Sequence, residues 1–366
     1  MRISLLSHIC RLSFVLIPAA VLTLSVPVSG QDQAVTPEPA VSAPPTVPAW
    51  AFPIPPGRAG GQARIGRGRA GARGAATTSE GAGRRGRGAQ DPTPRTVPNS
   101  TVTYMAGETG QFNIADWHPD EHPPLPPVVQ YGRRPDVGAC GYCHLANGFG
   151  KPENAPLAGQ PVEYIVQQMH DYRDERRLGS EPLVVGPALM VRIAKAATEE
   201  EIRAAAEYFA AVKRAPWIRV IEADMVPVTR NAGVMYAVVE GGGEEPIGVR
   251  ILEVAENYAL TQLRDGGSGF IAYVPPGSVA EGEALVKTGG NGKTVACGIC
   301  HGPDMRGLGT VPSIAGRSPS YMGRQMYDFK SGSRNGVSAP LMNPIVAQLD
   351  DEDIVNILAY LSTLAP

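Results

Sequence analysis

One pentapeptide pattern occurs twice in the chain: Cys140-Gly141-Tyr142-Cys143-His144 and Cys297-Gly298-Ile299-Cys300-His301. Cys-x-x-Cys-His is the attachment pattern for haem c: two thiols bond to porphyrin vinyl groups, and the adjacent imidazole binds the iron. A fifth cysteine, Cys10, lies in an N-terminal export segment, so none remains for disulfides. Zinc is the rival reading of paired Cys-x-x-Cys, but zinc ribbons keep their pairs close together and lack the appended His. Haem c is therefore the expected cofactor, one group at Cys140 and Cys143 and a second at Cys297 and Cys300. His144 and His301 are the expected proximal iron ligands.

The two motifs anchor a longer repeat. An offset of 157 carries Cys140 to Cys297, Ala158-Gly159 to Ala315-Gly316, Tyr164 to Tyr321, Gln168-Met169 to Gln325-Met326 and Asp171 to Asp328. Further on, an offset of 152 carries Met190 to Met342, Ile202 to Ile354 and Tyr208 to Tyr360. A five-residue difference in one loop accounts for the change, so the chain holds two copies of one fold. Each copy is small, and a covalent haem would supply much of its apolar interior.

The repeat also selects a second axial ligand. A Met thioether opposite His stabilises reduced iron and suits electron transfer. Met190 and Met342 occupy matched positions, read here as loops, before the last helix of each copy. Met169 and Met326 also match, but they sit within amphipathic helices, where Met is a common core filler. His170 competes in the first copy, yet its equivalent is Tyr327. His118 and His122 lie in a Pro-rich stretch and read as surface or packing residues.

The remaining segments are placed around these modules. Residues 1–30 read as a signal peptide, with Arg2 and Arg11 ahead of an apolar run and Val28-Ser29-Gly30 as the cleavage site. Residues 31–100 read as a disordered arm rich in Pro, Gly and Arg. Within it, residues 57–95 carry nine Arg against Glu80 and Asp91, a net of +7, while 96–366 sum to -9. In an exported chain such an arm is a tether or a contact for anionic lipid rather than a nucleic-acid binder.

The first module with its lead-in spans 101–212, and the second spans 278–366. Helices are predicted from Pro161, from the Thr198-Glu199-Glu200-Glu201 capping box, from Ser278, from Ser318-Pro319 and from Asp350. Between the modules, 213–277 alternates apolar and polar residues in about four runs and carries no Cys or His. It reads as a β-rich connector.

With these residues in view, the chain resembles the class I cytochromes c, and among them the di-haem cytochrome c4-like and c553-like proteins. The resemblance rests on the two motifs, Ala158-Gly159-Gln160, Ala315-Gly316-Arg317, Met190, Met342 and the two terminal helices. It implies a mainly α fold of two cytochrome modules, His/Met ligation in both, and electron transfer between periplasmic or membrane redox partners. Rival functions are a cytochrome subunit of a dehydrogenase or oxidase complex and a di-haem peroxidase, the latter needing one open iron site. The family also tends to place a proline four residues before the Ala-Gly glycine, where its carbonyl holds the ligand His. Pro312 fits, but Ala155 stands at the first position, so weaker support is expected for His144 than for His301.

Overall fold

A computed structural model describes residues 47–54, 93–108 and 114–366. The signal segment and most of the Arg-Gly arm lie outside these residues. In the lead-in, strands β1 (Pro94–Arg95) and β2 (Tyr104–Met105) pair antiparallel. Trp117 is buried there with Val97 and Ala115, and its indole N–H donates to Leu263 O at 2.8 Å. His118 bonds Asp265 at 2.8 Å and His122 bonds Asp116 at 3.0 Å, so both histidines are packing residues.

The first module contains α1 (Pro127–Gln130), α2 (Cys140–His144), α3 (Val162–Arg173), α4 (Gly186–Ala196) and α5 (Glu199–Ala211). The second contains α7 (Ser278–Thr288), α8 (Gly298–His301), α9 (Pro319–Lys330), α10 (Ala339–Ala347) and α11 (Asp351–Thr363). The repeat is visible element by element: α3 and α9 each have 12 residues, and α5 and α11 each have 13. Both last helices open on complete capping boxes, Thr198 with Glu201 and Asp350 with Asp353. The opening helices differ, α1 having 4 residues where α7 has 11.

One expectation is corrected here. Met190 and Met342 lie within helices α4 and α10, not in loops. Gly186-Pro187 and Ala339-Pro340 stand at the helix starts and put proline in the first turn, where its missing N–H costs nothing. In α10 a second proline, Pro344, is accommodated inside the helix.

The connector is a five-stranded sheet in the order β3-β9-β8-β6-β5, with a separate antiparallel pair, β4-β7, and a short helix, α6. The strands are β3 (Ile218–Glu222), β4 (Met225–Pro227), β5 (Thr229–Asn231), β6 (Tyr236–Val238), β7 (Glu244–Pro246), β8 (Leu252–Ala255) and β9 (Phe270–Val274), and α6 is Tyr258–Gln262. β3 and β9 run parallel, Ile218 opposite Phe270, and β8 and β9 antiparallel, Leu252 opposite Tyr273. Alternate residues Phe270, Ala272 and Val274 of β9 are buried, as period-2 packing requires. Ile251, Ala272 and Val274 join one core with Leu285, Ile354 and Leu358 of the second module. Buried Glu253 on β8 caps the start of α9, accepting from Ser318 Oγ at 2.8 Å and Ser320 N at 2.9 Å.

The disorder expected over 31–100 fails at two described stretches. Residues 93–100 pack in the lead-in, and 47–54 enter the second module's core through Trp50, Ala51 and Phe52. Trp50 and Phe52 both meet the Tyr327 ring edge-on. A Cβ at Gly323 would lie 2.9 Å from the Trp50 ring, so glycine opens the groove.

The two modules meet across a pseudo-two-fold polar interface. Arg177 donates to Gln168 Oε1 (2.8 Å), Tyr321 OH (2.8 Å) and Gln325 Oε1 (2.9 Å). Arg334 donates to Gln325 Oε1 (3.1 Å), Tyr164 OH (3.1 Å) and Gln168 Oε1 (2.8 Å). Asp328 accepts from Ser180 N at 2.7 Å, and its counterpart Asp171 accepts from Val337 N at 3.3 Å. Every pair obeys the 157 offset.

Candidate functional site

In the first module, α2 presents Cys140, Cys143 and His144 to a cavity of about 400 Å³. Its walls come from α3, α4 and α5, including Ile165, Met169, Met190, Ile193 and Phe209. Tyr164, Arg177 and Tyr321 of the module interface border it as well, as do Phe52, Arg324 and Asp328. Met190 and Met169 therefore both reach the cavity wall. His170 points elsewhere: its Nε2 bonds Glu199 at 2.9 Å on the exposed side of α5.

In the second module, α8 carries Cys300 and His301, and Cys297 stands at its N-cap. Met342 lies half-buried on α10, which packs on α9.

The two histidines are held alike. His144 Nδ1 bonds Ala155 O at 2.8 Å, and His301 Nδ1 bonds Pro312 O at 2.8 Å. A carbonyl only accepts, so each Nδ1 carries the proton and each Nε2 keeps its lone pair for a metal. Burial lowers the pKa of both rings, outweighing the carbonyl bonds, so both stay neutral. The weaker support expected for His144 is thus not found. The accepting group is a main-chain carbonyl, which alanine supplies as well as proline.

Burial also pushes the Cys140 thiol up to about 12 and the Cys297 thiol up to about 11, away from thiolate chemistry. Among the described residues no group of three or more His, Cys, Asp and Glu side chains could hold a metal ion. Both imidazoles are neutral and stand beside a cysteine pair, and the first lines an apolar cavity, an arrangement that fits a covalently attached porphyrin.

The family model for cytochrome c matches residues 279–365. Cytochrome c-554(548) of Halomonas halodenitrificans is 39% identical over 75 residues, covering 20% of this chain and 90% of that protein. The chain belongs to the cytochrome c family. Cytochrome c4 of Pseudomonas aeruginosa is 26% identical over 233 residues, covering 62% of this chain and 85% of that protein. The thiosulfate dehydrogenase electron acceptor of Stutzerimonas stutzeri is 38% identical over 88 residues, 23% of this chain and 39% of that protein. Haem c is the cofactor of this cytochrome.

The surroundings of the two motifs differ. Arg264, just beyond α6, lies 3.7 Å from the centroid of the Tyr142 ring and donates to Tyr142 O at 2.6 Å. Asn147 donates to Gly266 O at 3.0 Å. The connector thus covers the first motif. Ile299, the counterpart of Tyr142, is 67% exposed, and Cys300 is exposed too.

Proposed function

We propose that this cytochrome is an exported di-haem electron carrier, with Cys140 and Cys143 holding one haem and Cys297 and Cys300 the other. The observation that carries the reading is the matched pair of imidazole–carbonyl bonds, each of which leaves one Nε2 with the lone pair that would bind an iron. Haem c supplies a reversible one-electron change at iron. The chain's part is to fix the axial ligands, exclude water and hold the two modules rigidly together. His144 with Met190, and His301 with Met342, are the ligand pairs the repeat favours. The partners are redox proteins of the periplasm. Among the described residues no helix is long and apolar enough to cross a membrane.

A redox-titrated visible spectrum tests the ligands. A weak far-red band of Met–iron ligation is expected, halved in Met190→Ala and again in Met342→Ala. A band that survives both substitutions would transfer ligation to Met169 and Met326. A high-spin resting iron would point instead to a peroxidase-like open site. A second reading is a cytochrome subunit of a dehydrogenase, which the resemblance to a thiosulfate dehydrogenase electron acceptor favours. Copurification of a stable dehydrogenase partner would establish it over a free carrier.

A further inference from the structure

The loops that hold the two histidines reach the same hydrogen bond by different means. In the second module the accepting carbonyl belongs to Pro312, whose ring fixes φ. In the first it belongs to Ala155, which has no such restriction. On the C-terminal side both loops are gripped from the opposite module. Gln160 exchanges two bonds with Ser313, both 3.0 Å, and Arg317 donates to Pro156 O at 2.7 Å and Ala158 O at 3.1 Å. On the N-terminal side only the first loop has a described side-chain grip of this kind. Buried Arg324 of α9 donates through Nη2 to Pro152 O and through Nη1 to Ala51 O at 2.8 Å.

We propose that Arg324 is a positioning residue for the first site: seated by the Trp50–Phe52 segment, it clamps the loop that orients His144 and so replaces the missing proline. Arg317 and Arg324 together bracket Ala155, at residues 156 and 152. Ala51 O fixes the other half of the Arg324 guanidinium, so the packed N-terminal segment belongs to the same device. The axial His of one module is thereby held by the other module and by the arm. The proposal rests on His144 being an iron ligand.

The test uses full-length holoprotein. Arg324→Lys keeps the charge and loses the two-carbonyl grip. The expected result is a shift in the ferric EPR g-values and the reduction potential of the first haem, with the second unchanged. Adding Ala155→Pro to that variant should return both signals towards wild type. No shift in Arg324→Lys, equal shifts at both haems, or no rescue by proline would overturn the clamp. If Arg324→Lys fails to fold, two milder variants decide. Pro312→Gly should disturb the second haem more than Ala155→Gly disturbs the first, because only the first loop is clamped on both sides. A larger effect of Ala155→Gly would overturn the proposal. A wild-type first haem without a low-spin His-ligated signal would overturn the ligation reading itself, and the two failures are thereby distinct.

Discussion

The two modules share a motif, a histidine support and helices of equal length, yet one is covered and the other open. Arg264 lies over Tyr142 in the first, while Ile299 and Cys300 face solvent in the second. The first module also has a four-residue opening helix, and its loop is clamped from outside. The second has an eleven-residue helix, α7, packed across α11. Duplication therefore fixes the site, and the later additions decide how much of it remains accessible. The sheet, the lead-in and residues 47–54 are single-copy elements, and the cover on the first motif and the grip on its loop trace to them.

The interface is where the copies are most alike, so it gives the sharpest test of equivalence. Arg177→Ala and Arg334→Ala each remove three hydrogen bonds from a buried cation and strand one tyrosine hydroxyl, Tyr321 or Tyr164, while both glutamines keep a bond to the remaining arginine. Each should cost about 3–5 kcal/mol, since bonds to charged groups contribute ~1.5–3 kcal/mol and stranded partners add to the loss. Equilibrium denaturation should give similar values for the two variants. A difference well beyond 1 kcal/mol, on the order of a tenfold change in stability, would break the pseudo-symmetry at its centre.

Gly282→Ala should be next in size and should act on the second module alone. A Cβ there would stand 1.9 Å from Asn356 O and 2.9 Å from Tyr360 Cβ, where α7 crosses α11. Neither α7 nor the α11 backbone can yield cheaply, so a loss of about 1–3 kcal/mol is expected. Thermal unfolding followed by haem absorbance should show the second module melting earlier while the first holds. A uniform shift of both would mean that the modules unfold as one unit.

Much of this was legible in the sequence, and the omissions have a common cause. The motifs, the capping box at Thr198, the helix cap at Asp350 and the helix starts at Pro161 and Ser318 are local signals, and all appear in the structure. The four alternating runs of the connector became β3, β6, β8 and β9. Strands β4, β5 and β7, three residues each, are too short to show a period. Trp50 and Phe52 lie in a Pro-rich stretch whose composition says disorder, and only the distant groove at Gly323 gives them a place. Arg177 and Arg334 carry no local signal of their role, because burial of a cation depends on partners far along the chain. One signal for them did exist. They obey the same 157 offset as the motifs, and extending the alignment past Asp171 finds them.

The caps give a smaller and more selective difference. Asp350 Oδ1 accepts from Asp353 N at 2.9 Å, and its pKa lies below the usual carboxylate range, through that backbone bond first and Lys293 second. A depressed folded-state pKa stabilises above the unfolded value and is lost as pH falls through the folded one. Acidification should therefore fray the start of α11. Thr198 Oγ1, which accepts from Glu201 N at 3.2 Å, does not titrate and should go on capping α5. Replacing either cap by Ala should cost about 1 kcal/mol at neutral pH. Amide exchange in the first turn of α11 should quicken in acid more than in the first turn of α5. Equal protection of both turns would place the acid response elsewhere.

The cover on the first motif should carry the least free energy and the most selective effect. Arg264 makes one cation–π contact and one main-chain bond, so Arg264→Ala should cost about 0.5–2 kcal/mol. Its consequence for function is larger than that figure, because the contact shields one motif of two. In the wild type a small neutral reductant should reach the second haem faster than the first, as Ile299 is exposed and Tyr142 lies beneath Arg264. Stopped-flow reduction should then show two phases. Arg264→Ala should quicken the phase belonging to the first haem and leave the other unchanged. Tyr142→Phe would keep the ring beneath Arg264 and serve as the control with wild-type phases. If uncovering Tyr142 changes neither phase, the connector does not control access, and the exposure difference between the modules has no kinetic meaning.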